Sequence, residues 1–127
     1  MSTPHKPHSP GFLSLVNDAK SRVKEIDIER YKAMIASADP HMLVDIREDS
    51  EWAAGRVAGA VHLGKGIIER DIEQTAPDKN TTLVLYCGGG FRSALAADAL
   101  RTMGYTNAIS LDGGWRALQT SGLPLEK

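Results

Sequence analysis

The stretch Leu83-Val84-Leu85-Tyr86-Cys87-Gly88-Gly89-Gly90-Phe91-Arg92-Ser93, continued by Ala94-Leu95-Ala96-Ala97, decides the fold class of this 127-residue chain. It reads as strand, tight loop and helix, with the chain's single cysteine at the first loop position. Glycines let the backbone take conformations that a Cβ would forbid. The amides of such a loop can turn inward over a small concavity, and the helix behind it adds the positive end of its dipole. A cradle of that kind holds an anion and also stabilises a thiolate.

The same alternation extends on both sides. After the loop, Leu95, Ala96, Ala99, Leu100 and Met103 give the helix one apolar face, and Gly104 is its expected C-cap. Upstream, Met42-Leu43-Val44 reads as a buried strand ending at Asp45, and Glu48 to Ala54 as a short helix closed by Gly55. Gly59 to Leu63 is a short extended piece, and Gly66 to Gln74 a helix on Ile67, Ile68 and Ile72. Asp27 is the expected N-cap of a helix carrying Ile28, Tyr31, Met34 and Ile35. Downstream, Asn107 to Leu111 is a last strand, and Gly113-Gly114 opens a helix with Trp115 and Leu118. Short strands alternating with helices indicate βαβ units and a mostly parallel sheet with helices on both faces. Right-handed crossovers gather the carboxyl ends of the strands, where ligands bind. Asp45 and Cys87 both fall at that end.

Residues 1–24 stand apart from the domain expected over 25–127. Met1 to Pro10 reads as a loose polar tail containing His5 and His8. From Gly11, the residues Phe12, Leu15, Val16, Ala19 and Val23 recur at helical spacing, with Asn17, Asp18, Lys20 and Arg22 opposite. This accessory helix is expected either to cap the domain or to bind a protein partner. The chain is long enough for one domain with a real core. Its net charge of −1 points to neither nucleic acid nor an anionic membrane surface. One cysteine excludes an internal disulfide framework and a cysteine-based zinc site, and it fits a reducing compartment. No apolar stretch approaches the roughly 20 residues that span a bilayer, so the expected location is the cytoplasm.

A nucleophilic Cys87 needs to be deprotonated, and no histidine is adjacent in sequence. The loop amides, the helix N-terminus and Arg92 favour the anion instead. The spacing from Cys87 to Arg92 is Cys-x4-Arg. Cysteine phosphatases wrap a tetrahedral phosphate with Cys-x5-Arg, one residue longer. The shorter ring suits a sulfur atom carried on the thiolate.

Three segments stand out together: the loop; Val44-Asp45-Ile46-Arg47-Glu48 with Glu51-Trp52 and Gly55 to Ala60; and Leu111-Asp112-Gly113-Gly114-Trp115 with Gly122-Leu123-Pro124. In this order and spacing they resemble a single-domain rhodanese, or sulfurtransferase. The resemblance runs from about Ile26 to the C-terminus. It implies an α/β fold with a central, mostly parallel five-stranded sheet, and a ping-pong sulfur transfer. Cys87 would take the outer sulfur of a small anionic donor such as thiosulfate and pass it from a persulfide to cyanide or a thiol acceptor. The amides of Gly88, Gly89, Gly90, Phe91, Arg92 and Ser93 would cradle that sulfur, with no metal or organic cofactor. Many family members read Gly-His-Ile where this chain has Gly55-Arg56-Val57, so that histidine's role does not carry over.

Several residues have two readings. Arg92 either points at the ligand or braces the loop by pairing with Asp45 or Glu51; the short loop favours bracing. Asp45 and Arg47 are either a solvated pair or rim residues of the site, with Asp45 expected on the loop backbone or on Arg92. Arg56, Lys65 and Arg70 are candidates for attracting anionic donors, against a solvated surface. His62, Trp52 and Trp115 read as structural. A valine at Gly89 is expected to cut activity more than stability. The rival functions are a cysteine-dependent phosphatase or arsenate reductase, and a non-catalytic binding module.

Overall fold

A computed structural model describes residues 8–127. His5 and most of the expected tail lie outside the described residues. The elements in order are α1 (Pro10–Lys20), β1 (Lys24–Ile26), α2 (Ile28–Ala36), β2 (Met42–Asp45), α3 (Asp49–Ala54), β3 (Arg56–Val57) and β4 (Val61–His62). They continue with α4 (Ile68–Thr75), β5 (Leu83–Tyr86), α5 (Phe91–Thr102), β6 (Ala108–Leu111), α6 (Gly114–Gln119) and β7 (Leu125–Glu126).

Five strands form one sheet in the order β1-β6-β5-β2-β4, and every pairing is parallel. A small antiparallel pair, β3 with β7, lies outside it. β5 sits at the centre because all four of its residues are apolar or aromatic and buried on both faces. Its side chains alternate. Leu83, Leu85 and then Cys87 join a core with Val44, Ile68, Ile72, Ala97 and Leu100. Val84 and Tyr86 join the opposite core with Tyr31, Leu43, Leu111 and Leu118. Helices α4 and α5 therefore cover one face, and α2 and α6 the other.

The local signals act as expected at two helix ends. Asp27 caps α2 by accepting from the Arg30 amide at 2.8 Å. Gly104 follows α5 in the left-handed region, at φ +105°. Three strands carry no readable pattern. β1 is mostly exposed at the sheet edge, and β3 and β7 have two residues each.

Helix α1 starts at Pro10, in the first-turn position that tolerates proline. It folds back onto α5 through Val16 and Ala19, both buried. Leu15 does not share that face and is 57% exposed. Arg22, just beyond the helix, ties this segment to α5 through Asp98 at 2.7 Å. Among the described residues, no helix is long and apolar enough to cross a membrane.

Candidate active site

Cys87 leaves β5 at its carboxyl end, on the α5 side of the sheet, and is almost fully buried. The loop behind it closes through Gly90, which takes φ +110° and serves as the N-cap of α5. That turn aims the Gly90 amide at the sulfur, donating to Sγ at 3.1 Å. Ser93, in the first turn of α5, lies 3.5 Å from Sγ through its hydroxyl. Its Oγ is in turn 2.8 Å from the Ser110 hydroxyl of β6. Leu85 and Ser110 are register partners, so Ser110 projects to the same face as the thiol. Both serines are fully buried.

Ser110 was not singled out from the sequence. Its signal lies in the alternation of Ala108–Leu111: a polar residue opposite the face of Leu111, at the functional end of the sheet.

The loop is pinned from the other side of the sheet. The Trp115 amide donates to the Cys87 carbonyl at 2.7 Å, and the Arg116 amide to the Gly88 carbonyl at 3.2 Å. Gly114 makes this approach possible, since a Cβ there would collide with the Cys87 carbonyl. Gly89 is different: a Cβ built on it meets nothing within 4 Å. Gly89 lines the cavity around the sulfur, so a larger side chain there would enter the site and not the packed protein. Gly90 and Gly114 are the constrained positions.

Arg92 turns to α3 and forms an ion pair with Glu51, Nη1 to Oε1 at 3.2 Å. Glu51 also accepts from the Glu48 amide at 3.0 Å. Burial pushes the Glu51 carboxyl up, but the Arg92 hydrogen bond and charge and the Glu48 amide outweigh it and hold the group below its ordinary range.

Asp45 meets neither Arg92 nor the loop backbone. Its carboxylate is fully buried and takes a double contact from Arg47, with Nη2 to Oδ2 at 2.7 Å. Arg47 also donates to the Gly55 carbonyl at 2.6 Å and lies over the Trp115 ring, 4.4 Å from its centroid. The readings of a solvated pair and of an Asp45 held by Arg92 are both corrected. Odd positions of β2 face away from the thiol, so the pair builds the far side of the sheet. It meets the Cys87 segment through the ring of Trp115, whose amide holds the Cys87 carbonyl, and through the ring of Tyr86. Burial, then Asp45, raises the Tyr86 hydroxyl above its ordinary value.

Around the sulfur opens a cavity of about 830 Å³, lined by Cys87, Gly88, Gly89, Phe91, Arg92, Glu51, Arg116 and, from the N-terminal segment, His8, Phe12 and Leu13. The three cations expected to gather donors are not among these residues. Arg56 lies over the Trp52 ring and pairs with Glu126 at 3.4 Å. Lys65 lines a separate cavity with His62 and Asp49, and exposed Arg70 pairs with Asp71 at 2.7 Å. His62 stacks on Trp52 and donates through Nε2 to the Arg47 carbonyl at 2.9 Å. No cluster of metal-ligating side chains occurs among the described residues.

The Rhodanese-like domain model matches residues 27–121. A sulfurtransferase of Allochromatium vinosum is 34% identical over 103 residues, covering 81% of this chain and 94% of that protein. The thiosulfate sulfurtransferase GlpE of Pseudomonas entomophila is 35% identical over 100 residues, covering 76% of this chain and 88% of its own length. Among solved structures, RPA3614 of Rhodopseudomonas palustris, described as a protein of unknown function and possible tyrosine phosphatase, superposes with a TM-score of 0.79 at 26% identity. That match covers 98% of this chain and all of the other. With its sheet order, its Cys87 loop and these likenesses, the chain belongs to the rhodanese-like domain family of sulfurtransferases.

Proposed function

We propose that this chain moves sulfane sulfur as a Cys87 persulfide, from a donor such as thiosulfate to cyanide or a thiol. The observation that carries the reading is the Gly90 amide on Sγ at the N-terminus of α5. It offers a proton donor and a dipole to negative charge on sulfur. The Cys87 proton leaves to water, and the thiolate attacks the outer sulfur of thiosulfate. The S–S bond of the donor breaks, its electron pair departs with sulfite, and an Sγ–S bond forms. Cyanide or a thiolate then attacks the outer sulfur and returns Cys87 as thiolate. The amides from Gly88 to Ser93 hold the outer sulfur. Arg92 braces the loop on Glu51, and Asp45 with Arg47 holds the frame beneath it. Residues 25–127 form the domain that does this work, in a reducing compartment such as the cytoplasm, with residues 1–24 as an addition.

The test is intact mass spectrometry after incubation with thiosulfate. The expected outcome is a gain of one sulfur atom, reversed by cyanide or dithiothreitol and absent in Cys87→Ala. If no donor loads sulfur, the reading fails. Hydrolysis of an aryl phosphate that is lost in Cys87→Ser would replace it with the phosphatase reading suggested by the description of RPA3614.

A further inference from the structure

The cavity over Cys87 is larger and more apolar than an inorganic donor needs. Its volume of about 830 Å³ lies in the upper part of the roughly 300–1,000 Å³ range of pockets that enclose organic ligands. One wall is not supplied by the family domain. The family match begins at residue 27, whereas His8, Phe12 and Leu13 line the same cavity as Cys87. They are held there by a packed cluster. The His8 ring lies 4.5 Å from Phe91 in a T-shaped contact, Phe12 lies 6.3 Å from the same ring, and Lys20 sits 5.2 Å over it. Behind them α1 is anchored by buried Val16 and Ala19. The outcome is a cavity in which apolar Phe12, Leu13 and Phe91 share the lining with the thiol and with the cations Arg92 and Arg116.

We infer that α1 is a specificity wall. Phe12 and Leu13 select organic sulfur donors that carry an apolar body beside an anionic sulfur-bearing head. This inference rests on the sulfur-transfer reading. Such a donor reacts as thiosulfate does. For a thiosulfonate, the Cys87 thiolate attacks the terminal sulfur, the S–S bond breaks, and the electron pair leaves with the sulfinate. Charge balances, with two anions on each side. The apolar body takes no part in the bond changes, so its contact with Phe12 acts on binding and appears in KM.

The experiment compares methanethiosulfonate and benzenethiosulfonate, with cyanide as acceptor and thiocyanate as readout, in the full chain. The two sulfinates differ as leaving groups, so the quantity read is how a variant changes the ratio of their kcat/KM values. In Phe12→Ala the preference for the benzene compound falls by about five- to tenfold, through KM, as expected for loss of an aromatic contact. Use of the methane compound changes by less than about twofold. Leu13→Ala moves the ratio in the same direction. Leu15→Ala, exposed on another face of the helix, leaves it unchanged. An unchanged ratio in both Phe12→Ala and Leu13→Ala, with helicity retained by circular dichroism, overturns the wall while leaving sulfur transfer intact. An equal fall in Leu15→Ala overturns it too. If wild type yields no thiocyanate from any donor, the sulfur-transfer reading falls and takes the wall with it.

Discussion

Cys87 presents its sulfur to two partners with different hydrogen-bonding capacity. The Gly90 amide only donates, whereas the Ser93 hydroxyl either accepts or donates. As a thiol, Cys87 donates to Ser93, whose own proton goes to Ser110. Once the sulfur is anionic, Ser93 turns its proton to Sγ and accepts from Ser110. Ser93 thus keeps a partner on each side in both states, Cys87 on one and Ser110 on the other. In Ser110→Ala that exchange loses its second member. The expected cost is about 0.5–1.5 kcal/mol in the loading step, or roughly two- to tenfold in rate. Single-turnover loading by thiosulfate measures it. An unchanged loading rate with an unaltered unfolding midpoint would make Ser110 a spectator. This relay was half legible in the sequence. The loop and Ser93 were visible as a motif. Ser110 lies 17 positions from Ser93, and the two hydroxyls meet only because α5 packs on β6 beside β5.

Between elements, the Glu51–Arg92 pair joins α3 to the start of α5 and so steadies the loop that carries the thiol. Its folded carboxyl lies below the ordinary range. The unfolded chain therefore takes up this proton at higher pH than the folded one. The stabilisation is fully present above the ordinary glutamate value of about 4.3 and is lost as pH falls through the lower folded value. Both side chains are about one-third exposed, at 31% and 37%, so solvent screening keeps the effect small. Urea unfolding midpoints of wild type and Glu51→Gln should differ at pH 7 and converge towards pH 3. A constant gap across that range would show that the pair's charge is not what steadies the loop. The sequence allowed Arg92 two directions. The short loop favoured bracing, but Asp45 and Glu51 were equal candidates because both carboxylates lie near strand or helix ends on paper. The pleat separates them: Asp45 faces away from the thiol and is saturated by Arg47.

Across the whole molecule, Arg47 ties together β2, the Gly55 turn and the Trp115 ring on α6. Removing its side chain leaves the buried Asp45 carboxyl without a cation beside it. Arg47→Ala should cost about 3–5 kcal/mol, seen as a lower denaturation midpoint with an unchanged slope. A loss below about 1 kcal/mol would mean that water reaches Asp45 and that the pair is not structural. Local chemistry determined much of this protein from sequence alone. The apolar β5 run, the glycines, Cys87 and the Cys-x4-Arg spacing specify strand, loop and helix, because backbone freedom and side-chain periodicity act over a few residues. The alternation of elements likewise determined a parallel sheet with its functional end at Cys87. Charge and helical periodicity do not say which surface they meet. Arg56, Lys65 and Arg70 read as candidates for gathering anions, yet none lines the cavity around the thiol, whereas Arg116, which the sequence reading passed over, does; and the apolar stripe of α1 specified burial without a partner. Tertiary packing alone placed α1 on α5, with Phe12 and Leu13 in the lining of the cavity that holds the thiol. Contacts between distant segments depend on how layers stack, and no local pattern encodes that.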